Sequence, residues 1–138
     1  MNISARITNR QGEHTTTVRT NDRDQSLAIG PKPDGFGSSV NGGELLFLAL
    51  ATCYCNDIYR EACKRKIEVV NVEVEVSGEF GGEGEPARTI SYRASVDARA
   101  PREAIVDLMR HTDDVTEIQN TVRRGVPVVL SHCDAREV

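Results

Sequence analysis

A thiol attacks an electrophile as its thiolate, and four residues of this chain, Cys53, Cys55, Cys63 and Cys133, offer that chemistry. Three of them fall within eleven residues, Cys53 to Cys63, on one expected helix. Without a nearby cation such a residue packs as a small hydrophobe, which is the default for Cys55, Cys63 and Cys133. Cys53 and Cys55 stand two apart, so their side chains diverge on a helix, whereas a disulfide needs Cβ atoms about 4 Å apart. Cys63 lies about 15 Å further along the same axis. Cys133 follows His132, but neighbours in a strand face opposite sides, and the set Cys53, Cys55, Cys63, His111, His132 and Cys133 has no zinc-ligand spacing. Neither a metal nor an organic cofactor is expected.

These thiols need a scaffold, and the hydrophobic pattern supplies one. Ile3, Ala5 and Ile7 alternate up to a polar turn at Asn9-Arg10-Gln11-Gly12, and a Thr-rich run then reaches Val18, which together predict a β-hairpin. A shorter strand is expected at Leu27 to Ile29. From Gly30 to Gly43 the chain holds Pro31, Pro33 and five glycines, the composition of an irregular connection. Asn41 with Glu44 three residues on has the form of a capping box. The run Leu45 to Ala51 is apolar on every face and predicts a central buried helix, whose polar continuation past Cys55, from Asn56 to Lys66, should emerge into water.

Val70, Val72, Val74 and Val76 alternate with Asn71, Glu73 and Glu75, and Ile90, Tyr92, Ala94 and Val96 alternate likewise, with the Gly81–Pro86 turn between them. This is a second, long hairpin. Pro101 opens a helix with Ala104, Ile105, Leu108 and Met109 on its apolar face. A further helical stretch carries Val115, Ile118 and Val122 and stops at Gly125. Asp113 and Asp114 suit a helix N-terminus. Val126 to Leu130 is expected as a final strand. The class is α+β, in one domain over residues 1–138.

Composition narrows the function. A formal charge of −4 supplies no attraction to phosphate backbones or anionic lipid, so neither nucleic acid nor a membrane is an expected partner. The first residues, Met1 to Arg6, contain no apolar run of the signal-peptide kind, and a cytoplasmic location is expected. With 38% hydrophobic residues and no Trp, a core of small aliphatic side chains is thin unless a second subunit completes it. A homodimer is therefore expected.

The order of elements, and the segment Asn41-Gly42-Gly43-Glu44-Leu45-Leu46-Phe47-Leu48-Ala49-Leu50-Ala51-Thr52-Cys53, resemble the OsmC/Ohr family, in which an Asn-Pro-Glu turn leads through small residues to a reactive cysteine. The resemblance spans essentially the whole chain. It implies an OsmC-like fold in an intertwined dimer, and a thiolate that attacks the distal oxygen of an organic hydroperoxide to give an alcohol and a sulfenic acid. Cys53 aligns with that nucleophile. Arg10-Gln11-Gly12 matches the family's Arg-x-Gly turn and makes Arg10 the activating cation, with Arg19 as the alternative. Two positions depart from the pattern. The family's orienting Glu falls on Gly43, leaving Glu44 as a cap one helical residue, or about 100°, away. The resolving cysteine falls at or near Asp113, in His111-Thr112-Asp113-Asp114-Val115-Thr116, so the usual disulfide cannot form; Cys133 is the remaining internal thiol and an external thiol the expected reductant. The resemblance thus implies either a hydroperoxide reductase dependent on Cys53, or a degenerate relative binding a small apolar ligand beside it. A purely structural dimer with inert thiols is a third alternative.

Overall fold

A computed structural model describes residues 1–138 and divides them into two compact units, Met1–Leu46 and Phe47–Val138. In the first, β1 (Ile3–Arg10), β2 (Glu13–Thr20) and β3 (Arg23–Leu27) form an antiparallel sheet in the order β1-β2-β3. The expected hairpin is present, pairing Arg10 with Glu13 across Gln11-Gly12, and Gly12 takes the positive φ of 75° that this tight turn requires. The third strand is displaced from the expected Leu27–Ile29. A second tight turn at Asn21-Asp22 brings Arg23 opposite Thr20, so main-chain pairing rather than side-chain hydrophobicity sets where β3 begins, and Leu27 ends it. The loop after β3 is tied back by Asn9, whose Oδ1 accepts from the Gly37 N–H at 3.0 Å, and by the Gly12 N–H donating to the Gly35 carbonyl at 2.8 Å.

Helix α1 runs from Gly42 to Lys64. The capping box is formed: Asn41 Oδ1 accepts from the Glu44 N–H at 2.9 Å, and Glu44 Oε2 accepts from the Asn41 N–H at 2.7 Å.

In the second unit, α1 packs on the hairpin of β4 (Glu68–Phe80) and β5 (Ala87–Arg99), followed by α2 (Arg102–Val115) and α3 (Glu117–Arg124). Tyr54, Ile58 and Ala62, spaced four apart on α1, meet Leu108 of α2 and form the core, with Ile67, Val69, Val72, Val74, Tyr92, Ala94, Val96 and Met109 packed around it. The Tyr54 and Tyr92 rings meet edge to face at 5.1 Å, and Tyr54 donates its hydroxyl to the Met109 carbonyl at 2.9 Å. Truncating a fully buried side chain such as Ile58 to Ala costs about 2–5 kcal/mol.

Burial along α1 departs from the expectation, although Leu50 of the apolar run is buried as expected. Leu48, in the all-apolar run, is 60% exposed, whereas Ile58, Asp57, Glu61 and Ala62, in the polar half, are buried. The hairpin and α2 cover the later turns, and nothing in this unit covers Leu48. Val70 also departs from its pattern: a bulge between Val69 and Asn71 makes it the extra residue and turns it outward, while Val69 joins Val72 and Val74 on the core. Helix α3 ends as expected at Gly125, in the left-handed conformation. The expected final strand is absent. Residues 125–138 form no regular structure, and Val128, Val129 and Leu130 are highly exposed, because an apolar run alone makes no strand without a neighbour to hydrogen-bond. No helix is long and apolar enough to cross a membrane.

Candidate functional site around Cys53

Cys53 lies on the α1 stripe that continues, at helical spacings of four and seven, through Asp57 and Arg60. Its Sγ is 3.7 Å from Asp57 Oδ2, toward which the thiol donates, and 3.9 Å from Glu117 Oε2 at the start of α3. Arg60 binds both carboxylates through Nη1, at 2.8 Å from Asp57 Oδ1 and 3.2 Å from Glu117 Oε1. Its Nε donates to Glu61 Oε1 at 2.9 Å. Glu61 also takes Lys64 Nζ at 2.7 Å and faces His111 Nε2 at 3.4 Å. Helix α3 is anchored by buried Gln119, whose Nε2 donates to the Leu50 carbonyl of α1 at 3.0 Å. That contact, with the Arg60 fork, brings Glu117 to the thiol.

The electrostatics follow from these contacts. Burial pushes the Cys53 thiol above its usual pKa; the Ile118 N–H, in the first turn of α3, draws it down, but the negative charges of Asp57 and Glu117 push it up again and the net shift is upward. Asp57 is also raised, first by burial and then by Glu117, against the pull of Arg60. Glu117 is lowered by its own backbone N–H and by Arg60. Lys64 and Arg60, through their hydrogen bonds, hold Glu61 down at about 2. Donor atoms of Cys53, Asp57 and Glu117 lie within 4.8 Å of one another, and Arg60 bridges the two carboxylates and offsets part of their charge.

The other sequence-derived residues are placed as follows. Arg10 ends β1 in the first unit, 76% exposed at its side chain and paired with Glu13 at 2.6 Å; Arg19 pairs with Asp24. Glu44 is the cap. Asp113 and Asp114 do not serve a helix N-terminus, since both lie in the last turn of α2. Asp113 instead accepts from the Tyr92 hydroxyl and from Arg123 Nη2, tying β5 and α3 to α2; the two bonds hold its carboxyl below the usual range against the opposing effect of burial. Cys133 lies exposed in the irregular C-terminal segment. Cys55 is half-buried beside a shallow depression of about 260 Å³ lined by Ala51, Thr52, Asn56 and Val74. Sequence reasoning missed Asp57, Arg60 and Glu117. The first two carried a signal in their spacing from Cys53; Glu117 carried none, being 64 residues away.

The comparisons agree with this architecture. The sequence profile of the family described as OsmC-like protein matches residues 35–131. No curated protein matches. An OsmC-like protein from Mycoplasma pneumoniae superposes with a TM-score of 0.61 at 18% identity, covering 91% of this chain and 87% of that one. A hypothetical protein from Aquifex aeolicus reaches 0.65 at 16% identity over 90% and 89%. An organic hydroperoxide resistance protein from Legionella pneumophila reaches 0.53 at 18% over 89% and 90%. With the profile spanning more than half of the chain and the fold shared by these structures, the protein belongs to the OsmC-like family.

Proposed function

We propose that this protein reduces organic hydroperoxides through Cys53, with an external thiol closing the cycle and a homodimer as the working form. The observation that carries the proposal is the placement of the Cys53 sulfur, half-buried, between the first turn of α3 and the carboxylates that Arg60 bridges. In the reaction the sulfur takes the distal peroxide oxygen as the O–O bond breaks, giving cysteine sulfenic acid and an alcohol; sulfur is oxidised by two electrons and the peroxide is reduced by two. A thiol then displaces water from the sulfenic acid, and a second thiol releases Cys53 with formation of an external disulfide. Membership of a family whose Legionella pneumophila relative is named for organic hydroperoxide resistance supports the substrate class. Arg10, the cation implied by the family motif, remains the proposed electrostatic partner.

The raised thiol favours a second reading, a degenerate relative that binds a small apolar ligand without turnover. Intact-mass analysis after stoichiometric cumene hydroperoxide separates the two. The enzyme reading expects Cys53 to gain one oxygen, further oxygens under excess peroxide, and protection by a low-molecular-weight thiol. An unchanged mass replaces it with the binding reading.

A further inference from the structure

Cys53 has an acidic neighbour in direct reach, and this gives the peroxide step a proton path. We infer that Asp57 is a catalytic residue: its carboxylate takes the Cys53 thiol proton as the sulfur attacks, and returns it to the departing alkoxide. The inference rests on the hydroperoxide reading above.

The geometry carries it. Asp57 Oδ2 is the acceptor of the Cys53 thiol at 3.7 Å, while Oδ1 is clamped by Arg60 Nη1 at 2.8 Å, so one oxygen is held and the other faces the sulfur. Asp57 is 5% exposed, unlike Glu117, whose side chain is 64% exposed. Water competes for a proton on Glu117 far more than on Asp57. The groups facing Asp57 are Cys53 and Arg60 on α1 and Glu117 on α3. Burial makes the carboxylate a stronger base, which favours the transfer, and the thiol a weaker acid, so that Cys53 reaches the peroxide still carrying the proton that Asp57 is placed to take.

The step balances. The S–H bond breaks and its proton goes to Asp57; a sulfur lone pair forms the S–O bond to the distal oxygen, which keeps its hydrogen. The O–O bond breaks, its electron pair stays with the alkoxide, and the proton on Asp57 completes the alcohol. No further oxidant is needed.

The test compares two electrophiles on full-length protein carrying Cys55→Ser, Cys63→Ser and Cys133→Ser: cumene hydroperoxide, whose leaving group needs a proton, and iodoacetamide, whose leaving group does not. In Asp57→Asn, loss of a repelling charge should leave alkylation unchanged or faster, while peroxide oxidation of Cys53 falls relative to it by on the order of 10². Glu117→Gln, which removes charge but not the relay, should leave that ratio where it is in the parent. The parent protein supplies a measurement independent of any substitution at Asp57. Below the thiol pKa, alkylation should climb about tenfold per pH unit, whereas peroxide oxidation should stay level until Asp57 itself protonates. If oxidation climbs in parallel with alkylation, or if the ratio is unmoved in Asp57→Asn or falls in Glu117→Gln, the inference is overturned and the hydroperoxide reading stands. If the parent protein takes up no oxygen from peroxide, that reading fails and this inference with it.

Discussion

At the residue scale, the helix stripe of Cys53, Asp57, Arg60 and Glu61 mixes two opposite electrostatic duties. Asp57 is a carboxylate that the fold makes easier to protonate, and Glu61 one that the fold makes harder. Their contributions to stability therefore have opposite signs in pH. A carboxyl lowered in the folded state stabilises above its unfolded pKa and loses that contribution as pH falls through the folded value. For Glu61 the window runs from the ordinary carboxylate range down to about 2. Glu61→Gln should lower the thermal midpoint at pH 7, and the gap to wild type should close as both are acidified across that window. Melting curves followed by circular dichroism at several pH values measure this; a gap that widens on acidification would sink the assignment.

At the element scale, α1 and the β4–β5 hairpin are joined by close approach as well as by hydrophobic area. The Phe47 and Phe80 rings stack at 5.8 Å, and Gly78 lies under Phe47 beside the Thr89 carbonyl. A Cβ at residue 78 would run into the Thr89 carbonyl oxygen and the Phe47 ring. Gly78→Ala should cost about 1–3 kcal/mol, the usual penalty for overpacking. Gly82→Ala, in the turn, is the control, because there the nearest atom to an added Cβ is the Glu85 carboxyl carbon at 3.9 Å. Urea unfolding of both variants decides it, and equal midpoints would show that the hairpin shifts to accommodate the methyl group.

At the scale of the whole molecule, the proposed homodimer has a physical motive in α1. Leu48 is 60% exposed in the single chain although it belongs to an apolar run, and burying such a side chain is worth about 1.5–3 kcal/mol. Sedimentation equilibrium at micromolar concentration should give the mass of two chains. Leu48→Glu should shift the equilibrium toward one chain, with the helix content of the isolated subunit retained. A wild-type monomer at that concentration, or a Leu48→Glu protein that dimerises as tightly as wild type, would count against the assembly.

Periodicity and local chemistry determined much of this protein from its sequence alone: the first hairpin, the Asn41–Glu44 cap, the alternation of β4 and β5, and the stop at Gly125 each depend on residues close in the chain. The family followed from a local motif and the order of elements. Tertiary structure decided what depends on neighbours distant in the chain. Which face of α1 is buried was set by the hairpin and α2, which cover Tyr54, Ile58 and Ala62 and leave Leu48 open. The bulge that turns Val70 outward depends on register against β5, and Val126–Leu130 failed to become a strand because pairing, not an apolar run, makes one. The environment of Cys53 is the same case. Its identity as the thiol of interest was local, but its acidic surroundings arise because folding brings Glu117, 64 residues away, to a helix stripe whose polar members looked like a solvated face.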